Sequence, residues 1–80
     1  MYFAYVLKNK NSGKYYHGHT DNLARRLFEH NEEKRHYAGV RGPWEIVYYE
    51  EFSTRSEAME REKFFKGGSG REFLKNILNK

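Results

Sequence analysis

The 80-residue sequence has no cysteine, a single proline and no apolar run long enough to span a membrane. The missing thiols exclude disulfides and thiolate-bound metals, and they suit a reducing compartment. The N-terminal apolar stretch, Tyr2 to Leu7, falls far short of the ~20 residues of a membrane helix, and neither a basic segment nor a cleavage site accompanies it. A soluble cytoplasmic protein with no membrane partner is therefore expected. Internal repeats and low-complexity tracts are also absent. The length fits one domain, residues 1–80, of a size that buries only ~60% of its unfolded-chain surface, and two separately folded sites would not fit.

Charge and aromatic rings are plentiful. Fifteen Lys and Arg stand against eleven Asp and Glu, for a formal charge of +4, and aromatic residues make up 18% of the chain. Basic charge mixed with tyrosine suits an anionic polymer as partner. A small domain that uses tyrosines as half-buried filler and lysines for solubility has the same composition. Composition alone leaves both open.

Periodicity and turn chemistry give the elements. Residues 2–8 and 15–19 are rich in aromatic and β-branched types, with the turn formers of 9–14 between them, which predicts a hairpin. Thr20 is placed to cap a helix reaching about Asn31, with Asp21 in its first turn. The expected apolar stripe of that helix is Leu23, Ala24, Leu27 and Phe28. Arg26 and His30 share one margin of the stripe, and Arg25 and Glu29 face away. Residues 32–43 read as a basic connecting loop. Residues 44–52 predict a strand, with Trp44, Ile46, Tyr48 and Phe52 on one face. Thr54 and Glu57 form a capping box opening a second helix, which Gly67 and Gly68 end as residues tolerant of left-handed backbone. Ser69 and Glu72 form a second box, opening a helix with Phe73, Leu74, Ile77 and Leu78 on its stripe. The order β-β-α-β-α-α predicts an α+β domain with a small, three-stranded, mainly antiparallel sheet flanked by helices.

One residue resists this scheme. At about 100° per residue, Ala58, Met59 and Phe65 form an apolar arc on the second helix, and Glu62 falls inside it. Glu57, Glu60, Arg61 and Lys63 are free to point at water. A carboxylate on the packing face costs several kcal/mol or is protonated unless a cation meets it.

The motifs Phe3-Ala4-Tyr5 and Tyr16-His17-Gly18, followed by Arg26, His30 and Glu62 in that order and spacing, resemble the GIY-YIG nuclease superfamily. The segments DNLARRLFEHN, GPWEIVYYEEF and SEAMEREKFFKGGSGREFL are most similar to its compact single-domain members, related to the catalytic modules of homing endonucleases and of the excision-repair nuclease. The resemblance implies a divalent-metal-dependent endonuclease that hydrolyses DNA phosphodiester bonds by in-line attack of water, with a place in DNA repair or recombination. It implies that Glu62 holds a single Mg²⁺ or Mn²⁺. Tyr5 is then the candidate for activating water, provided that its pKa is lowered or a proton relay assists it. Tyr16 orients water or phosphate, Arg26 meets charge on the phosphoryl oxygens, and His30 shares the base role. Gly18 lets backbone run close to the first strand and the substrate. His19, Arg25, Arg35 and Lys66 join Gly18 as phosphate contacts, with His17 and Asn76 as further candidates. Phe3, Ala4 and His17 replace the glycine and isoleucines of the two motifs.

Four rival readings accompany this one. Arg26 could pair directly with Glu62, with no metal. His17 and His19, on one face of a strand, could join His30 or His36 in a zinc site that lacks cysteine. The fold could serve as a nucleic-acid-binding module for DNA or RNA without catalysis. It could also take its specificity from a partner protein, because phosphate contacts position a nucleic acid without specifying its sequence.

Overall fold

Three strands and three helices appear in the expected order in the computed structural model, which describes residues 1–32 and 43–78. Strands β1 (Tyr2–Asn9) and β2 (Tyr15–Thr20) form the hairpin, and α1 spans Leu23–Glu32. Strand β3 (Trp44–Phe52), α2 (Arg55–Lys66) and α3 (Gly68–Leu78) complete the domain. Both neighbours of β1 run antiparallel to it, in the sheet order β2-β1-β3. The predicted loop lies outside the described residues except at its ends, where Glu32 closes α1 and Pro43 precedes β3.

The sheet is covered on both faces. Ala4 and Val6 of β1 pack with Phe65 of α2 and Leu74 of α3, and Tyr48, Phe52, Phe64, Phe73, Ile77 and Leu78 surround them. Tyr5 and Leu7 point the other way and pack with Trp44, Tyr16, Leu23, Leu27 and Ile46 under α1. The two-residue period of β1 thus feeds two cores, as expected of a strand buried on both sides.

A β-bulge in β3 changes the predicted face assignment. Val6 pairs with Tyr48 and Leu7 with Ile46, so Val47 is the extra residue. Trp44 and Ile46 therefore join the α1 core, whereas Tyr48 and Phe52 join the α2–α3 core. All four were expected on one face, because strict alternation has no place for an inserted residue.

Helix ends differ in detail. Asn22, not Thr20, caps α1. Its side-chain oxygen accepts from the Arg25 amide at 3.0 Å, and its carbonyl accepts from the Arg26 amide at 3.1 Å. Thr20 Oγ1 instead accepts from the Asn22 amide, and Asp21 precedes the helix. The capping box of Thr54 and Glu57 is present in full. Gly67 follows α2 in extended backbone, φ −86° and ψ 173°, not in the left-handed region expected. Helix α3 already includes Gly68, so Ser69 lies inside its first turn and does not cap it. The reason is close packing: a Cβ on Gly70 would overlap the Phe64 carbonyl and lie 2.6 Å from Phe65 Cα. Only glycine lets α3 start this close to α2.

Apolar stripes are also narrower than periodicity implies. Phe28 and Ala24 are exposed; Leu23 and Leu27 are half-buried, as is Arg26, and His30 is the fully buried residue of α1. Met59 is exposed on α2, where Ala58 and Phe65 are fully buried. Burial of a side chain such as Phe65 contributes about 2–3 kcal/mol.

Candidate functional site

Tyr5 stands where the two halves of the site meet. The β1–β2 register sets Tyr5 opposite Gly18 and Leu7 opposite Tyr16, all facing α1. The Tyr5 ring lies over Gly18 so closely that a Cβ there would sit 2.6 Å from the phenol Cζ. Arg26 Nε donates to the Tyr5 hydroxyl at 3.3 Å, while its Nη1 donates to Glu29 at 3.2 Å. The carboxylate that Arg26 meets is thus a helix neighbour.

His30 braces this arrangement from inside. It is 2% exposed, and its ring meets Tyr16 edge-on with centroids 4.6 Å apart, Trp44 at 6.1 Å and Tyr5 at 6.4 Å. Asn31, the next residue, fixes the end of α1 against β3. Its side chain accepts from the Trp44 amide at 2.6 Å and donates to the Trp44 carbonyl at 3.2 Å. Burial, reinforced by the positive charge of Arg26, pushes His30 down to about 4, so its imidazole is neutral at physiological pH. Burial pushes the Tyr5 phenol up to about 12, against the opposing pull of Arg26. The lowering that a tyrosine base requires is therefore not supplied by the surrounding side chains.

Glu62 approaches from the opposite face. His17 and His19 of β2 pair with Val6 and Ala4, and so point toward α2 and α3. The Glu62 side chain is 18% exposed, with both oxygens engaged: His19 Nδ1 lies 2.6 Å from Oε1, and Lys66 Nζ lies 2.6 Å from Oε2. Burial works to raise the Glu62 pKa, but the hydrogen bonds from Lys66 and His19 outweigh it and leave the carboxyl below its usual range. The cation expected to meet this carboxylate is thus Lys66, one turn away, with His19 across the sheet edge. The Glu62 charge also reaches Tyr5, contributing to the rise of its pKa. The carboxylate and the guanidinium of Arg26 therefore both act on one phenol.

Glu62 fits a hard divalent ion. Among the described residues no three His, Cys, Asp or Glu side chains gather as a metal cage, and His17, His19 and His30 form no zinc site. One carboxylate with an exchangeable partner suits an ion such as Mg²⁺, which keeps several waters and is bound by one or two carboxylates plus phosphate. Lys66 is that partner, being 54% exposed.

The remaining predicted residues separate. Arg25 is exposed on α1 and pairs with Asp21 at 2.9 Å. His17 is half-buried, with Phe65 beside its ring at 6.5 Å, and burial together with Lys66 and Arg71 lowers its pKa. Asn76 is exposed on α3, and among the described residues no hydrogen bond ties it to the site. Arg35 and His36 lie outside the described residues.

Sequence reasoning missed Asn31 and a second carboxylate, Glu50. Arg61, expected to face water, instead grips Glu50 with Nε at 2.7 Å and Nη2 at 3.1 Å, and Tyr48 donates to the same carboxylate. The Arg61 guanidinium also covers the rings of Phe64, Phe65 and Phe73 at 4.3, 5.3 and 4.9 Å. The alternation of β3 carried a signal, since Glu50 shares the Tyr48 and Phe52 face.

The chain is similar to other proteins along most of its length. The chain is 42% identical to the UPF0213 protein YazA of Bacillus subtilis over 66 residues, which are 81% of this chain and 66% of that protein. It is 36% identical to the UPF0213 protein SERP0126 of Staphylococcus epidermidis over 77 residues, covering 95% and 93% of the two chains. The solution NMR structure of the UPF0213 protein BH0048 from Bacillus halodurans superposes with a TM-score of 0.55 at 30% identity, over 96% of this chain and 85% of that one. The family model described as the GIY-YIG catalytic domain matches residues 1–76. That match runs from the first strand through most of α3, and the chain belongs to the GIY-YIG catalytic domain family, with its nuclease fold.

Proposed function

We propose that this protein is a divalent-metal-dependent endonuclease that hydrolyses DNA phosphodiester bonds by in-line attack of water. The observation that carries this reading is the Tyr5 hydroxyl, which receives a hydrogen bond from Arg26 and feels the charge of Glu62 over a glycine that leaves room for it. In the reaction a water oxygen bonds to phosphorus, the bond from phosphorus to the 3′ oxygen breaks, and the water loses a proton. Arg26 stabilises charge on the phosphoryl oxygens. Tyr5 keeps its own proton at neutral pH and orients water or phosphate as a donor. Tyr16, held by His30, lines the same face. His19 takes the proton: with Nδ1–H donated to Glu62, its Nε2 carries the lone pair. Glu62 would hold the metal, which when bound supplies Lewis-acid stabilisation of the leaving oxygen. Lys66 and Gly18 border the phosphate, and the enzyme acts in the cytoplasm, in repair or recombination.

Supercoiled plasmid with Mg²⁺ or Mn²⁺ tests the reading, with EDTA and Glu62→Ala as controls. Metal-dependent nicking is expected from the wild type, with a loss of about 10³-fold in the variant. Nicking by the variant at the wild-type rate overturns the mechanism. Binding without nicking, indifferent to metal, makes the protein a nucleic-acid-binding module.

A further inference from the structure

A groove of about 400 Å³ runs between β2 and α3 on the Glu62 side of the sheet, lined by Tyr15, His17, Arg71, Leu74, Lys75 and Leu78. None of these residues is needed for the chemistry above. One wall is cationic: Arg71 and Lys75 stand four apart on α3, and among the described residues neither has a carboxylate partner. The other wall is the edge strand β2, which presents Tyr15, His17 and His19 on one face. Same-face residues of a strand repeat every ~6.6–6.8 Å, so this row extends ~13 Å from the Glu62 pair. The floor is apolar, formed by Leu74 and Leu78, and the Tyr15 ring is 42% exposed, with Lys8 Nζ 5.8 Å from its centroid.

Charge and apolar surface in one narrow track select the ligand. A duplex would offer Arg71 and Lys75 its phosphates but would keep its base faces stacked inside, leaving Tyr15, Leu74 and Leu78 unused. An unpaired strand offers phosphates to the cationic wall and base faces to the ring and the leucines. We infer that the groove between β2 and α3 binds single-stranded nucleic acid, one or two unpaired nucleotides flanking the bond at Glu62. The inference rests on the nuclease reading, and it makes the substrate a strand with an unpaired segment, such as a flap or a single-stranded junction arm.

Fluorescence anisotropy with labelled oligo(dT) and a duplex of equal length tests this in EDTA, where no cleavage occurs. Circular dichroism of each variant confirms the fold, and the altered groove residues Tyr15, Arg71 and Lys75 are exposed. Wild type and Glu62→Ala are expected to bind the single strand more tightly than the duplex. Tyr15→Ala should weaken single-strand binding about five-fold or more and change duplex binding less than two-fold. Arg71→Ala/Lys75→Ala should weaken it about ten-fold or more and reduce the salt slope of log affinity by roughly 1.4, the value for two lost contacts to a single strand. Equal losses for single strand and duplex, or an unchanged affinity in both variants, overturn the inference. So does a change of mass in size-exclusion chromatography caused by the same substitutions, which would make the groove a contact between copies. If plasmid nicking persists while the groove variants bind normally, the nuclease reading stands without the groove. If oligo(dT) binding behaves as expected and no nicking occurs, the groove stands and the nuclease reading falls.

Discussion

Glu50 of β3 and Glu62 of α2 are two half-buried carboxylates set in opposite circumstances. Their side chains are 23% and 18% exposed, and both titrate below the ordinary range because hydrogen-bonded cations outweigh burial. Glu50 is gripped by two nitrogens of Arg61, whose guanidinium lies over three phenylalanine rings, and by the Tyr48 hydroxyl. That pairing is closed, because a planar bidentate fork stacked on aromatic rings has little freedom to leave. Glu62 has one exposed lysine and one histidine, each on a single oxygen. A carboxylate held by an exchangeable donor can take a new cation, whereas one held by a fork ties α2 to the sheet. Burial and pKa are therefore poor guides to function; the mobility of the partner decides.

The largest test of that contrast is to remove each carboxylate's role in turn. Glu62→Ala is expected to reduce nicking by about 10³-fold while moving the Tm little, since its removal frees an exposed lysine. Arg61→Met should do the reverse. It leaves Glu50 half-buried with Tyr48 alone, at a cost of about 2 kcal/mol, or roughly 8–16 °C in Tm for a domain of this size, with nicking at 25 °C retained. If Arg61→Met destroys activity in a protein that remains folded, the division between the two carboxylates fails.

Acid sharpens it next. Both carboxyls are depressed in the folded state, so their contribution is present above the unfolded value near 4.3 and lost as pH falls through the lower folded values. His30 acts in a higher window. Its folded pKa, about 4, lies below the unfolded 6.5, so the unfolded chain binds the extra proton. Stability is then complete above pH 6.5 and declines toward pH 4, by roughly 2–3 kcal/mol in all. Urea titrations between pH 7 and 4 should show this decline in the wild type, and His30→Phe should reduce it, leaving the share of His17, whose pKa is lowered in the same direction. An unchanged slope in the variant would assign the proton to another group.

Gly18→Ala gives the smallest effect. Its Cβ would collide with the Tyr5 phenol, whose far end moves more easily than backbone, so the Tm should fall by only a few degrees. Nicking should drop about ten-fold, to the level of Tyr5→Phe, because the hydroxyl is displaced from Arg26. Full activity in Gly18→Ala would remove Tyr5 from the site.

The sequence made the element order, the capping box of α2 and the anomaly of Glu62 legible, since each depends on local pattern or on one residue that breaks it. It also placed Tyr5, Arg26 and His30 near one another through the hairpin and the helix that follows. What it could not show depends on pairing across distance. Lys66 lies one turn from Glu62 and could have been read as its partner, but His19 meets Glu62 only because β2 lies beside α2. Arg61 looked solvent-facing because the wheel of one helix does not contain Glu50. The N-cap of α1 shifted because Asn22 and Thr20 are both good caps, and only the hydrogen bonds choose between them. Phe28 and Met59 fell on predicted stripes, and no element among the described residues covers them fully.

The bulge at Val47 can also be viewed from the gene. It is the point where β3 stops serving one core and begins serving the other. Loss of that one codon would set Ile46 directly before Tyr48, and ordinary alternation would then keep Trp44 and Ile46 beneath α1 and Tyr48 against the phenylalanine cluster, with the pairs to Leu7 and Val6 unchanged. Most short deletions in a small domain harm the place where they fall. This one would be absorbed by the ladder, with both cores keeping their own residues from β3 and only the Val47 side chain and the local twist of the bulge lost.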